Sequence, residues 1–100
     1  MDENFEKLKK VSPLEQRQKL NLLTGWTIEN GRLEREFIFK DFSRAMIFLN
    51  KIVNPIEESQ NYPRITLTYN RVFISLFNNA VGALTLLDFE MAESFSKLAS

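Results

Sequence analysis

The chain contains no cysteine and no histidine, only three glycines and three prolines, and no excess of either charge. Without cysteine there is no disulfide framework, no thiolate nucleophile and no thiolate metal site. With histidine absent as well, a zinc site would have to be built from carboxylates alone, so no metal is expected. Acid–base chemistry near neutral pH is left without imidazole, its usual carrier. Thirteen basic residues balance thirteen acidic ones. A grip on nucleic acid usually needs a basic surface, so no direct nucleic-acid contact is expected. So few glycines and prolines leave little room for linkers, and there is no low-complexity tract or internal repeat. No stretch stays apolar over the roughly 18 residues of a membrane span. The opening residues MDENFEKLKK lack the apolar core of a signal peptide, and the expectation is a soluble, cytoplasmic protein with no membrane contact.

What is present fits one domain. A chain of 100 residues is long enough to bury roughly two thirds of its unfolded surface. Residues 1–11 are charged and poorly periodic, which predicts a flexible lead-in to a single domain over 12–100. Ser12-Pro13-x-Glu15 combines an N-cap, a proline at the first helical position and a capping box, so a helix starts there and runs to Leu23, where Thr24-Gly25 stops it. Trp26–Ile28 reads as a short strand. Asn30-Gly31 marks a tight hairpin turn, since both central residues of a type I′ turn need positive φ. The return strand, 32–39, places Leu33, Arg35, Phe37 and Phe39 on one face and Glu34, Glu36 and Ile38 on the other. Arg35 interrupts the apolar face and is expected to carry its charge out to water.

Asp41 is placed to cap a second helix with an apolar stripe of Phe42, Ala45, Met46, Phe48, Leu49, Ile52, Val53 and Ile56. Pro55 lies inside that stripe and deletes a backbone bond, so the helix is expected to kink or end near Asn54. Beyond it, Ile65 and Leu67 alternate with Thr66 and Thr68, and Val72, Ile74 and Leu76 with Phe73, Ser75 and Phe77. Those periods predict two more strands around Tyr69-Asn70. Thr85-x-x-Asp88 opens a third helix, Leu86 to near Leu98, packed through Leu87, Met91, Phe95 and Leu98. Leu86 and Phe89 fall off that face, as subunit contacts or as lateral core. The order α-β-β-α-β-β-α predicts an α+β fold, a four-stranded antiparallel sheet with three helices packed on one face.

The stretch from Glu57 to Asp88 resembles the pterin-4a-carbinolamine dehydratase family. It supplies Glu57, Pro63, Tyr69-Asn70-Arg71-Val72, Gly82, Leu84-Thr85 and Asp88 at the family's spacing. Gly25-Trp26 and Phe37-Ile38-Phe39-Lys40-Asp41-Phe42-Ser43-Arg44-Ala45 with Phe48 extend the likeness upstream, so that it covers residues 12–99. The resemblance implies the same architecture, homo-oligomers (dimers or tetramers), and removal of water from a 4a-hydroxytetrahydropterin without metal or cofactor. It also implies a departure, because the positions matching the family's three active-site histidines are Asn61, Tyr62 and Asn79.

An asparagine cannot titrate, although its carboxamide can hold a pterin edge by donating and accepting hydrogen bonds. Tyr62 can stack on a ring or bond to one, but with an ordinary pKa of about 10 it is a weak base at neutral pH. Glu57 and Glu58 are the remaining candidates for catalytic acid or base, provided that desolvation raises a carboxyl pKa; the simpler reading is a pair of solvated helix-end carboxylates. Asp88 is explained by its place in the third helix's first turn. The candidate ligand-binding residues are Gln60, Asn61, Tyr62, Phe77, Asn78, Asn79 and Ala80. Phe77 and Ala80 make this loop less polar than the family pattern. Two readings result: a dehydratase-like protein with impaired chemistry that acts by binding a pterin or a protein partner, and an active dehydratase using groups other than histidine. A third, an oligomer with no ligand, would show a pocket filled by Tyr62 and Phe77.

Overall fold

The structure, a computed structural model, describes residues 6–100. Its elements are α1 (Pro13–Leu20), β1 (Thr27–Glu29), β2 (Arg32–Ile38), α2 (Phe42–Ser59), β3 (Arg64–Thr68), β4 (Arg71–Leu76) and α3 (Leu86–Leu98). The four strands form one antiparallel sheet in the order β1-β2-β4-β3. This is the predicted α+β architecture, in the predicted order.

Local chemistry accounts for the boundaries. Ser12 accepts from the Glu15 amide at 3.3 Å while the Glu15 carboxylate reaches back to the Ser12 backbone, closing the capping box of α1. Asp41 caps α2 through the Arg44 amide at 2.9 Å. Asn30 and Gly31 hold φ of 52° and 76°, as a type I′ hairpin requires.

Pleat alternation then builds the core. Leu33 and Phe37 of β2 and Val72, Ile74 and Leu76 of β4 all turn to the helical side and are buried. They meet Ala45, Phe48, Ile52 and Ile56 of α2 and Leu87, Phe89, Met91, Ala92 and Phe95 of α3. Trp26 packs edge-on to Phe37 at 5.8 Å between ring centroids, and Phe37 lies 4.8 Å from Phe48. Phe89 is thus lateral core, while Leu86 and Leu98 are half-buried at its margin.

Three expectations are corrected. Of the two outcomes expected near Asn54, a kink or an end, the end does not occur: α2 runs on through Pro55 to Ser59. Proline leaves the Lys51 carbonyl without its helical donor, but Lys51 is on the solvent side, where water can bond it, and buried Ile52 and Ile56 hold the last turn to the core. Arg35 does not carry its charge out to water. Its guanidinium lies 4.2 Å from the Phe37 ring centre and donates to the Thr24 carbonyl and to Ser96 Oγ, at 3.1 and 3.0 Å. That fold-back occupies the space beside Gly25, where a Cβ would stand 2.9 Å from Arg35 Nε. The lead-in is also tied down at its end. Val11 is buried, its amide donates to the Leu84 carbonyl at 3.0 Å, and the Leu86 amide donates to the Lys9 carbonyl at 3.2 Å. The first five residues of the lead-in lie outside the described residues.

Candidate functional site

Two loops leave the same end of the neighbouring strands β3 and β4, because Arg64 at the start of β3 pairs with Ser75 near the end of β4. One loop is 60–63 and the other 77–85. Gln60 ends α2 in a left-handed conformation, φ 55°, which turns the chain sharply at the helix terminus. Ser59 Oγ donates to the Ile56 carbonyl at 2.7 Å and accepts from the Asn61 amide at 3.0 Å, fixing the next residue.

The turn points Asn61 inward. It is buried, and its Nδ2 donates to Asp88 Oδ1 at 2.6 Å and meets Met91 Sδ at 3.4 Å. The other carboxylate oxygen of Asp88 accepts from the Thr85 amide at 2.8 Å and from the Thr85 hydroxyl at 3.0 Å. The capping role expected of Asp88 is therefore real but incomplete, since the same side chain also anchors the 60–63 loop. Burial pushes the Asp88 carboxyl above the ordinary aspartate value, and the bonds from Thr85 and Asn61 only partly counter it.

The other candidates divide by exposure. Tyr62 is 58% exposed, so it neither packs away against Pro63 nor fills a pocket. The neighbouring Glu57 carboxylate, with a little desolvation, holds the phenol above its usual range, so Tyr62 stays protonated at neutral pH. Glu57 and Glu58 are both exposed, as are Gln60, Asn79 and Ala80.

Asn78 is buried and committed to its own loop. Its Oδ1 accepts from the Val81 amide at 2.9 Å, and its main chain pairs with Gly82 and Ala83. Phe77 is half-buried with the Arg32 guanidinium 5.4 Å from its ring centre. Of Asn61, Tyr62 and Asn79, the first therefore faces inward onto Asp88 and the other two face out to solvent. Sequence reasoning missed the Asn61–Asp88 bond and the place of Arg32. The spacing of 27 residues between the first pair carries no local signal, and Arg32 reaches the site only through strand pairing.

A cleft among the described residues lies elsewhere. It holds about 700 Å³ between the end of α1, β2 and α3, with Leu22, Leu23, Arg35, Phe89, Glu93 and Ser96 on its walls. None of the residues predicted from sequence for the ligand site lines it, and the Arg35 and Ser96 groups there already hold Thr24 and Trp26. Among the described residues, no group of three or more acidic side chains is placed to hold a metal ion, and no helix is long and apolar enough to cross a membrane.

Known proteins match both the sequence and this geometry. The family profile described as pterin 4 alpha carbinolamine dehydratase matches residues 9–98. Curated relatives that carry the pterin-4-alpha-carbinolamine dehydratase name include one from Nostoc punctiforme, 38% identical over 88% of this chain and 95% of its own length. Another, from Sulfurisphaera tokodaii, is 38% identical over 91% of this chain and 98% of its own. The crystal structure of a transcriptional coactivator/pterin dehydratase from Brucella melitensis superposes with a TM-score of 0.88 at 29% identity, covering 92% of this chain and 100% of that one. A match along nearly the whole length, with the element order and capping residues that the sequence predicts, leaves one assignment: the chain belongs to the pterin-4-alpha-carbinolamine dehydratase family.

Proposed function

We propose that this chain is a family member that binds a pterin at the 60–63 and 77–80 loops, with impaired dehydratase chemistry, and acts through that ligand or through a protein partner. One observation carries the reading: the positions matching the three active-site histidines are Asn61, Tyr62 and Asn79, and the whole chain lacks histidine. Dehydration of a 4a-carbinolamine needs an acid for the departing hydroxyl and a base for the ring proton, both near working pH. Asn61 cannot titrate and commits its amide to Asp88. Asn79 can donate and accept hydrogen bonds without moving a proton.

The Brucella melitensis protein, described as a transcriptional coactivator/pterin dehydratase, supports a partner-binding role alongside ligand binding. A homo-oligomer fits the outward side of α2, where Phe42, Met46 and Val53 expose apolar surface on residues spaced by whole turns. A cytoplasmic location agrees with the absence of a membrane-spanning helix among the described residues.

A second reading, retained activity, draws on Tyr62 and Glu57, two titratable groups that influence one another at the edge of the site. The deciding experiment is 4a-carbinolamine dehydration by the purified protein beside an Asn61→His/Tyr62→His/Asn79→His variant and a protein-free control. We expect the natural chain to match background and the variant to gain activity by about 10-fold or more, toward what one positioned acid–base group contributes. Clear turnover by the natural chain, lost in Glu57→Gln, would establish the second reading instead.

A further inference from the structure

We propose that the pterin bound here carries an anionic substituent, a phosphate or a carboxylate, held by Arg32 and Arg64. The inference rests on the pterin-site reading above and specifies its ligand.

Ser75 is the centre of the arrangement. It lies on the sheet face away from the helices, one strand position from Leu76, and is almost fully buried. Strand pairing sets Glu34 of β2 and Arg64 of β3 directly opposite it. Arg32, at the start of β2, donates from Nε to Ser75 Oγ at 2.6 Å and from Nη2 to the Ser75 carbonyl at 3.1 Å. The Ser75 hydroxyl in turn donates to Glu34 Oε2 at 2.7 Å. Arg32 is thus held by three contacts from two neighbours: two atoms of Ser75 and the face of Phe77.

Two of its five N–H donors are used, and the rest remain available. No carboxylate lies within ion-pair distance of Arg32 or Arg64 among the described residues, whereas Arg44 and Arg71 each have one, at 2.9 and 2.8 Å. These two guanidiniums also oppose one another. Burial first, and then the positive charge of Arg64, lower the Arg32 pKa, while the Glu34 and Asp88 carboxylates raise it. An arginine does not lose its proton for that reason, and an anion between the pair would relieve the repulsion that those carboxylates leave.

The position ties this pair to the candidate site. Arg64 follows Tyr62 by two residues, at most about 7 Å of chain, and Phe77, under Arg32, directly precedes Asn78-Asn79. A pterin ring seated at the two loops would have both guanidiniums within reach of a short side chain on the ring. Guanidinium forks match the planar oxygens of carboxylate and phosphate alike, so the arms of the test separate the two.

The test is calorimetric binding of three reduced pterins to the full chain: 7,8-dihydrobiopterin, with a neutral side chain, 7,8-dihydroneopterin 3′-phosphate, and 7,8-dihydrofolate. We expect one anionic pterin to bind at least about 10-fold more tightly than dihydrobiopterin, with the preference falling as salt rises. Arg64→Gln, at an exposed position, should abolish the preference and leave dihydrobiopterin affinity unchanged. The stronger of the two anionic ligands identifies the substituent. Equal affinity for neutral and anionic pterins, or a preference that survives Arg64→Gln, overturns this proposal while leaving the pterin site standing. Failure of all three ligands to bind overturns both.

Discussion

At the scale of single residues, Asn61 and Asp88 form the contact on which the candidate site depends. A buried carboxylate that loses one of its donors bears the desolvation penalty of that oxygen. Asn61→Ala is therefore expected to cost about 1–3 kcal/mol of stability, read as a lower denaturation midpoint, and to raise the Asp88 pKa further. The pH dependence has a definite sign. Burial favours protonated Asp88, so the folded state holds that proton to higher pH than the unfolded chain does. The contribution of Asp88 to stability is full below the unfolded value of about 3.9 and is lost as pH rises through the higher folded value. Asp88→Asn removes this titration, and Asn61 can turn its carbonyl toward the new amide. Chemical denaturation across that acid range should show the natural chain losing stability relative to Asp88→Asn as pH rises; parallel curves would mean that Asp88 titrates normally.

At the scale of elements, α2 is the informative case. Pro55 removes an intrahelical hydrogen bond, which the sequence pattern takes as a kink or a stop, and the helix passes through it. The interior proline costs about 3 kcal/mol in an isolated helix, and burial of Ile52 and Ile56 on either side offsets this. Pro55→Ala restores the bond to the Lys51 carbonyl while freeing the unfolded chain, which offsets up to about 1 kcal/mol. A net gain of about 1–2 kcal/mol is expected, seen as a higher melting temperature with unchanged helical circular dichroism. A loss of stability would instead show that the ring of Pro55, half-buried, packs usefully where it stands.

At the scale of the whole molecule, the described residues leave two kinds of surface uncovered. The outer edges of β1 and β3 have no partner strand, and α2 presents Phe42, Met46, Ile47 and Val53 at 36–53% exposure. Under the proposed homo-oligomer, the α2 face is a subunit contact, and a charge placed in it must be desolvated on assembly. Val53→Lys, at a half-exposed position that the monomer tolerates, is expected to reduce the molar mass measured by light scattering to that of one chain, 11.7 kDa. An unchanged mass would move the contact to the strand edges, and a natural chain that is already monomeric would remove the oligomer from the proposal.

Much of the fold was legible because its signals are local. The capping boxes at Ser12–Glu15 and Thr85–Asp88, the Asn30-Gly31 turn and the alternation along β2, β3 and β4 each act within a few residues, and each appears where the sequence places it. The family could be read for the same reason, since its motif is a run of residues at fixed spacing. Tertiary structure decided what distance along the chain conceals. It carried α2 past Pro55 by burial, folded Arg35 back over Phe37, turned Asn61 inward onto Asp88 and left Tyr62 and Asn79 in solvent. It also brought Arg32 to Ser75, 43 residues on, because β2 and β4 are neighbours in the sheet. The sequence by itself determined which residues are available for chemistry; packing decided which of them are buried and which face solvent, because a side chain's direction depends on what else is competing to be buried.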